Sequence, residues 1–371
     1  KTKEKVLLIG VIHGELDMET VEEHLEELKL LAETAGAVVM GSVTQKLFRI
    51  NPSFFIGTGK AKQIINQAKE LDVSLIIFDD ELSPGQMKNY GKLTEEIKVI
   101  DRSALILDIF KQHAQTKEAK TQVELAQLEY MLPRLTRAWT HLERQMGGIG
   151  TRAGAGETQI EVDRRLIRAR ISKLKRELEK IEKERETQSK RRRSQYKVAL
   201  VGYTNAGKST LMKAISGANV FIEDQLFATL DTTIRSVELD KSHSILLSDT
   251  VGFVRKLPHH LVASFRSTLK EVTKADLILL VLDASSNQVE DHYNTIIDVL
   301  KYLGAERHQM LIVLNKIDLD SAENQTSFLK RKFPGGTFVS ALNNLRIEKL
   351  SQNISEIMDK NYQIVDFTFS Y

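Results

Sequence analysis

Residues Lys197 to Thr210 constrain this chain more than any other stretch. Val198-Ala199-Leu200-Val201 is a short apolar run of strand character, and Gly202-Tyr203-Thr204-Asn205-Ala206-Gly207-Lys208-Ser209 follows at once. Leu211, Met212, Ala214 and Ile215 then recur in helical order. Strand, G-x-x-x-x-G-K-S and helix in this sequence make a phosphate-binding loop. The glycines let successive backbone N–H groups turn inward on an anion. The helix that begins there adds the positive end of its dipole. Lys208 is placed to reach the terminal phosphates and Ser209 to ligate Mg²⁺, with Thr210 closing the motif. A glycine-containing turn without a ligand is the alternative, and it leaves the Lys-Ser pair in register unaccounted for.

From Tyr196 to about Lys360 strand and helix patterns alternate, which predicts a doubly wound α/β domain over residues 196–360 with its ligand loops at the strands' carboxyl ends. Two further motifs stand at those ends. Asp249-Thr250-Val251-Gly252 offers a carboxylate that holds Mg²⁺ through water and a glycine N–H for the γ-phosphate. In Asn315-Lys316-Ile317-Asp318 an aspartate accepts both guanine N1–H and the 2-amino group, while the stem of Lys316 covers the base. Adenine has neither donor and would leave the carboxylate unpaired, a penalty that supports discrimination on the order of 10⁴. Ser340-Ala341-Leu342 is a weaker signal, a backbone N–H for guanine O6. In this order and context the set points to GTP as substrate and GDP as product.

Between the loop and Asp249 lies a switch segment, Phe227-Ala228-Thr229-Leu230-Asp231-Thr232-Thr233. One of its threonines must meet Mg²⁺, and spacing does not choose among Thr229, Thr232 and Thr233. GTPases of the Ras type carry a glutamine after the D-x-x-G glycine to orient water. Phe253 stands there instead, so a low basal rate raised by a partner is expected. Asn205 has two readings, a ligand for K⁺ beside the phosphates or a loop residue bonding its own backbone.

The rest of the 371 residues read as two more parts. Residues 1–112 alternate strands such as Val6–Val11 and Leu75–Phe78 with helices, a small α/β domain with a mainly parallel sheet. Gly57-Thr58-Gly59-Lys60 lacks the spacer of a phosphate loop and reads as a helix start. Asp79 and Asp80 read as solvent-facing acids at a strand end, with metal ligation the alternative. Residues 113–195 change character. Leu125, Leu128, Leu132, Leu135, Trp139, Leu142 and Met146 step by three and four, as do Ile167, Ile171, Leu174, Leu178 and Ile181. Between them runs glycine-dense Gly147 to Gly156, so a long antiparallel helical hairpin with a pliable tip is predicted, kinked at Pro133. Gly148 to Ala153 also fits G-x-G-x-x-A, but no βαβ unit surrounds it.

Charge concentrates in that hairpin. Residues 116–197 hold 21 Lys and Arg against 12 Asp and Glu, in a chain whose net charge is only +3. Glu177 to Glu186 alternates in sign and reads as a solvated face, whereas Arg144, Arg152, Arg164, Arg165, Arg168 and Arg170 near the tip have few acids beside them. A basic arm of about 30 residues, roughly 45 Å long, suits a phosphate-rich partner such as nucleic acid. The absence of cysteine excludes disulfides and thiolate metal sites and agrees with a reducing cytoplasm. No apolar run is long enough for a membrane span, no secretory signal opens the chain, and a start at Lys1 reads as trimming. His259 and His260 read as structural. Residues 361–371, ending Ile364 to Tyr371 in strand-like alternation, read as the start of a truncated element.

These motifs together resemble the HflX family of ribosome-associated GTPases. The phosphate loop, Phe227-Ala228-Thr229-Leu230-Asp231 and Asp249-Thr250-Val251-Gly252-Phe253 with Leu257-Pro258-His259 match its pattern. The hairpin is more specific still, through Gln122 to Leu128, Trp139 to Gln145, and Gly156-Glu157-Thr158-Gln159 before Asp163-Arg164-Arg165. The chain departs at Ala153-Gly154-Ala155-Gly156, where the family usually has Gly-Pro-Gly. The resemblance implies a Ras-like P-loop GTPase domain behind the α/β domain and hairpin, with Lys208, Thr229 and Gly252 as catalytic residues and Ser209 and Thr229 as Mg²⁺ ligands. It also implies binding to the large ribosomal subunit and its rRNA and the splitting of stalled or idle ribosomes; a monomer is the expected state. A rival reading makes the chain an rRNA-binding factor for which GTP is only a stabilising ligand. A tRNA-modification GTPase would need a cysteine near its end, and there is none.

Overall fold

The computed structural model describes residues 3–135, 159–189, 195–217, 226–227, 233–256 and 271–361. Trp139, Arg144, Arg152 and the glycine-rich tip lie outside them, as do the basic run 190–193, residues 228–232 with Thr229, the His259-His260 pair and residues 362–371. The chain divides into two compact units, residues 1–183 with 256–264 and residues 184–255 with 265–371.

In the first unit four parallel strands, β1 (Lys5–Ile12), β2 (Val38–Lys46), β3 (Leu75–Phe78) and β4 (Lys98–Asp101), lie in the order β2-β1-β3-β4. The two inner strands are nearly continuous apolar runs because both of their faces are covered. Helix α1 (Met18–Thr34) starts on Asp17, whose carboxylate accepts the Thr20 N–H, and α3 (Pro84–Leu93) starts on a Ser83–Gln86 capping box. Gly57 is the N-cap of α2 (Thr58–Glu70), so Gly57-Thr58-Gly59-Lys60 is a helix start. Helix α4 (Arg102–His113) was not legible from periodicity. Leu105, Ile106, Leu107, Ile109 and Phe110 are all buried, so its apolar surface wraps past a single stripe.

Asp79 corrects the reading of a solvent-facing strand end. It is 2% exposed and sits 2.6 Å from Nη1 of Arg102, itself 2% exposed. Glu27 takes the other arm of the guanidinium, and Lys256, whose contacts place it in this unit, lies 2.5 Å from Asp79. Burial pushes the Asp79 carboxyl up, but Arg102, Lys256 and His24 together hold it below the usual carboxylate range. Among the described residues no cluster of three His, Asp or Glu is arranged for a metal.

Helix α5 (Lys117–Met131) gives way to a 3-10 turn at Leu132–Arg134. Pro133 therefore ends this helix instead of kinking it, since proline cannot donate the next backbone bond. The predicted apolar seam meets α6 (Gln159–Ser189) where Leu125 and Leu128 pack on Leu174, with Ile167, Ile171 and Leu178 around them. Bonds from Arg170 to Glu124 at 2.6 Å and Lys175 to Glu129 at 2.8 Å flank that contact.

The second unit is a six-stranded sheet of β5 (Tyr196–Gly202), β6 (Thr233–Glu238), β7 (Ser244–Asp249), β8 (Leu277–Asp283), β9 (Met310–Asn315) and β10 (Thr337–Phe338). Its order is β10-β9-β8-β5-β7-β6, parallel except for β6. Around it lie α7 (Lys208–Ser216), α8 (Val289–Leu303), α9 (Asp320–Lys332) and α10 (Ile347–Asn361). Leu200, Leu247, Leu279 and Val313 from adjacent strands pack with Leu211, Leu350 and Ile354 in a core with no exposed member. No helix of the described residues is long and apolar enough to cross a membrane.

His243, in the β6–β7 turn, bridges Asp240 at 2.8 Å and Asp359 of α10 at 2.9 Å. Bonds to Asp359 and Asp240 raise its pKa above 6.5. A raised histidine pKa stabilises the fold at pH below the unfolded value, and that contribution is lost as pH rises through the folded one. The stability difference between the native protein and His243→Asn should therefore be largest near about pH 6 and shrink above about pH 8, as urea titrations at the two values will measure. An equal difference at both would remove the ionic bridge.

Candidate functional site

The carboxyl ends of β5, β7, β9 and β10 bring the predicted motifs together. After β5 the chain enters the loop, and Gly207 adopts a φ of +85°, where a Cβ would stand 2.3 Å from Asn315 Nδ2. That conformation and that contact both demand glycine. Lys208 begins α7 and is buried, and its Nζ donates to the carbonyls of Gly202 at 3.1 Å and Tyr203 at 2.8 Å. Burial pulls the ammonium down to about 8, against an upward pull from Asp249. Asn205 is exposed at the outside of the loop with φ +58°. Ala206 is buried, and its carbonyl accepts from Asn315 Nδ2 at 2.9 Å.

Asp249 ends β7, 1% exposed, and Ser209 Oγ donates to its Oδ2 at 2.6 Å. A hydroxyl and a carboxylate oxygen, both hard donors, thus stand side by side. Thr250, fully buried, donates its hydroxyl to Leu200 O at 2.7 Å and ties this segment to β5. Val251 is buried behind it. Gly252 lies directly on the loop, and Phe253 is 1% exposed, so its ring offers nothing to a water at the phosphates.

On the base side, Asp318 Oδ1 is shielded from solvent and has no hydrogen-bond partner. A shielded carboxylate oxygen without a donor is costly unless a ligand supplies one. Lys316 holds φ +64°, and its Nζ is 2.7 Å from Asp283 Oδ2 at the end of β8. Ile317 N–H donates to Val339 O at 3.3 Å, which anchors the turn to the neighbouring strand. Ser340 is fully buried and its hydroxyl accepts the Asn343 N–H, while Leu342 is exposed. Asn315 opens the motif that ends in Asp318. Its side chain spans two loops, donating to Ala206 O and accepting the Ala341 N–H at 3.0 Å. In this arrangement Ala341's amide is engaged within the protein.

The family described as GTP-binding GTPase N-terminal matches residues 22–111, GTP-binding GTPase Middle Region matches 113–192, and 50S ribosome-binding GTPase matches 197–316. A protein named GTPase HflX from Flavobacterium psychrophilum is 50% identical over 315 residues, covering 85% of this chain and 76% of that protein. The chain belongs to the HflX family. A second GTPase HflX, from Caldanaerobacter subterraneus, is 44% identical over 100% of this chain and 84% of its own length, and that of Escherichia coli is 44% identical over 90% and 79%. Among solved structures, a GTP-binding protein from Sulfolobus solfataricus in complex with GDP is 25% identical with a TM-score of 0.46, covering 97% of this chain and all of that one.

This HflX-family chain is a GTPase with a P-loop and binds guanine nucleotide. Its residues Gly202 to Thr210, Phe227, Asp249 to Gly252, Asn315 to Asp318 and Ser340 to Leu342 lie in the described structure, and Ala228 to Asp231 do not. Sequence reasoning missed what Tyr203 and Thr204 touch. The Tyr203 ring stacks on His292 of α8, and Thr204 Oγ1 accepts the Phe227 N–H. No periodicity or motif marks His292, because its partner is brought to it by the sheet.

Proposed function

We propose that this GTPase binds the large ribosomal subunit in its GTP form, through rRNA contacts of its first domain and helical stretch, and splits stalled or idle ribosomes into subunits. Hydrolysis then releases it. The observation that carries the reading is the union, in one HflX-family chain, of a guanine pocket with the basic helix α6, on which Arg165, Arg168, Lys173 and Arg176 are exposed. The match of residues 197–316 to 50S ribosome-binding GTPase supports the same partner. The protein acts in the cytoplasm as a monomer.

Within the pocket, Asp318 accepts the guanine N1–H and 2-amino group, and Lys208 neutralises the terminal phosphates. The Gly252 N–H faces the γ-phosphate. Ser209 and Thr229 would hold Mg²⁺, with Asp249 beside them through water. The Ser209–Asp249 oxygen pair suits that ion. When bound, Mg²⁺ shields the charge of the β- and γ-phosphate oxygens. Asn205 would line a K⁺ site at the loop's outer turn. Lys208 supplies fixed positive charge where charge develops on the leaving group. Phe253 contributes no donor, so basal turnover is expected on the order of 10⁻⁴ s⁻¹.

GTP turnover measured with and without large ribosomal subunits, at fixed low salt, tests the reading. Subunits should raise the rate by at least about 10²-fold, and added salt should reduce the effect as phosphate contacts are lost. A rate indifferent to subunits sinks it. If the nucleotide-depleted protein splits ribosomes as well as the GTP-loaded protein does, the binding-factor reading is correct instead.

A further inference from the structure

Two side chains of the phosphate loop reach the segments that answer to the third phosphate. Tyr203 lies flat on His292, ring centroids 3.8 Å apart and planes at 18°. Its hydroxyl accepts the backbone N–H of Arg255 at 2.7 Å. Thr204 accepts the Phe227 N–H on its Oγ1 at 3.0 Å. Between these attachments the main chains are zipped together, with Phe253 N–H donating to Gly202 O at 3.1 Å and Thr204 N–H to Phe253 O at 2.7 Å. Arg255 is held again beyond the hydroxyl, its guanidinium 2.7 Å from Gln288 Oε1 and 3.5 Å from Asp291 on α8.

The consequence falls on Gly252. A Cβ there would stand 2.7 Å from Thr204 Cα and 3.1 Å from Lys208 Nζ. The glycine backbone therefore packs against the loop at the place where a γ-phosphate must stand between its N–H and the lysine ammonium. A γ-phosphate seated there would press residues 252–255 away from the loop. GDP makes no such demand, because its last phosphate is the β.

We propose that Tyr203 is a positioning residue that latches residues 252–255 onto the phosphate loop, so that GTP binding must break the Tyr203–Arg255 bond and GDP binding need not. His292 keeps the tyrosine ring in place. Burial and the nearby Arg255 bring its pKa down to about 4, so the stack is between neutral rings at ordinary pH. The latch sets the ratio of GTP to GDP affinity and the Michaelis constant for GTP, and leaves the chemical step to other residues. It rests on the assignment of Lys208 and Gly252 to the phosphates and on nothing about the ribosome.

Equilibrium binding of GDP and of a non-hydrolysable GTP analogue to the full chain tests it. In Tyr203→Phe the ring still stacks and only the hydroxyl is lost. GDP affinity should stay within about twofold, while the analogue should bind about five-fold more tightly, the effect of one buried hydrogen bond. His292→Ala, which loosens the ring but spares the hydroxyl, should move the ratio the same way, and KM for GTP should fall in both without a rise in kcat. A general packing defect would weaken both nucleotides together. An affinity ratio that stays at the native value or falls in Tyr203→Phe overturns the latch. If the native protein bound neither nucleotide, the pocket assignment itself would fail, and the latch with it.

Discussion

Asp318→Asn will exchange this protein's preference for guanine for a preference for xanthine. The carboxylate offers acceptors only, and guanine presents two donors on the edge that faces it. Asparagine offers one acceptor and one donor, which fits xanthine, where a carbonyl replaces the 2-amino group. Asp318 Oδ1 is already shielded from solvent without a partner, so the protein has met part of the desolvation cost before the base arrives. A pocket of this kind rejects a ligand that leaves its buried polar group unpaired. The ratio of GTP to XTP affinity should therefore fall by about 10⁴. Competition binding with GDP and XDP measures it. A ratio within tenfold of the native value would take Asp318 out of the base pocket.

The second large effect lies in the first unit. Arg102→Ala should destabilise that unit by about 3–5 kcal/mol, because it leaves the buried Asp79 and the partly buried Glu27 without their guanidinium. Arg102 and Asp79 are each 2% exposed, and the arginine lies at the first turn of α4 against the end of β3. Lys256 still faces Asp79 and limits the loss. The sign of the pH dependence follows from the same group. Asp79 is held below the usual carboxylate range against its burial, so its pairing stabilises the fold above the unfolded pKa and ceases to do so as pH falls through the folded one. The difference between native and variant should thus be larger at about pH 7 than at about pH 2. Hydrogen exchange of the β1 and β3 amides reports this unit separately from the GTPase unit. A loss under about 1 kcal/mol at pH 7 would show that the ion pair is dispensable.

The two units differ in how openly their residues announce their roles. In the GTPase unit the motifs place residue types at fixed offsets from strand ends, so spacing alone singles out Lys208, Ser209, Asp249 and Asp318 as candidates. It does not give their contacts. Asn315 has the motif's most recognisable side chain, yet it ties Ala206 to Ala341, a bridge between loops more than 100 residues apart. In the first unit, the strands and α1 follow from simple periodicity. Helix α4 escaped because it is apolar on most of its surface, and Asp79 was misread because an acid at a strand end usually meets water. Arg102, 23 residues along, is what makes its burial tolerable.

By itself the amino-acid sequence determined the strands of the first unit, the phosphate loop, the motif that ends in Asp318, the basic character of the helical stretch and membership of a GTPase family. Each of these is local, a matter of residue type and short spacing along one strand, loop or helix. Only the tertiary structure decided which polar groups meet: Arg102 with Asp79, Asn315 with two loops, Tyr203 with His292 and Arg255. Those partners are far apart in the chain, and a buried hydrogen bond or ion pair depends on an approach of about 3 Å, which the packing of sheet and helices sets and no sequence interval encodes.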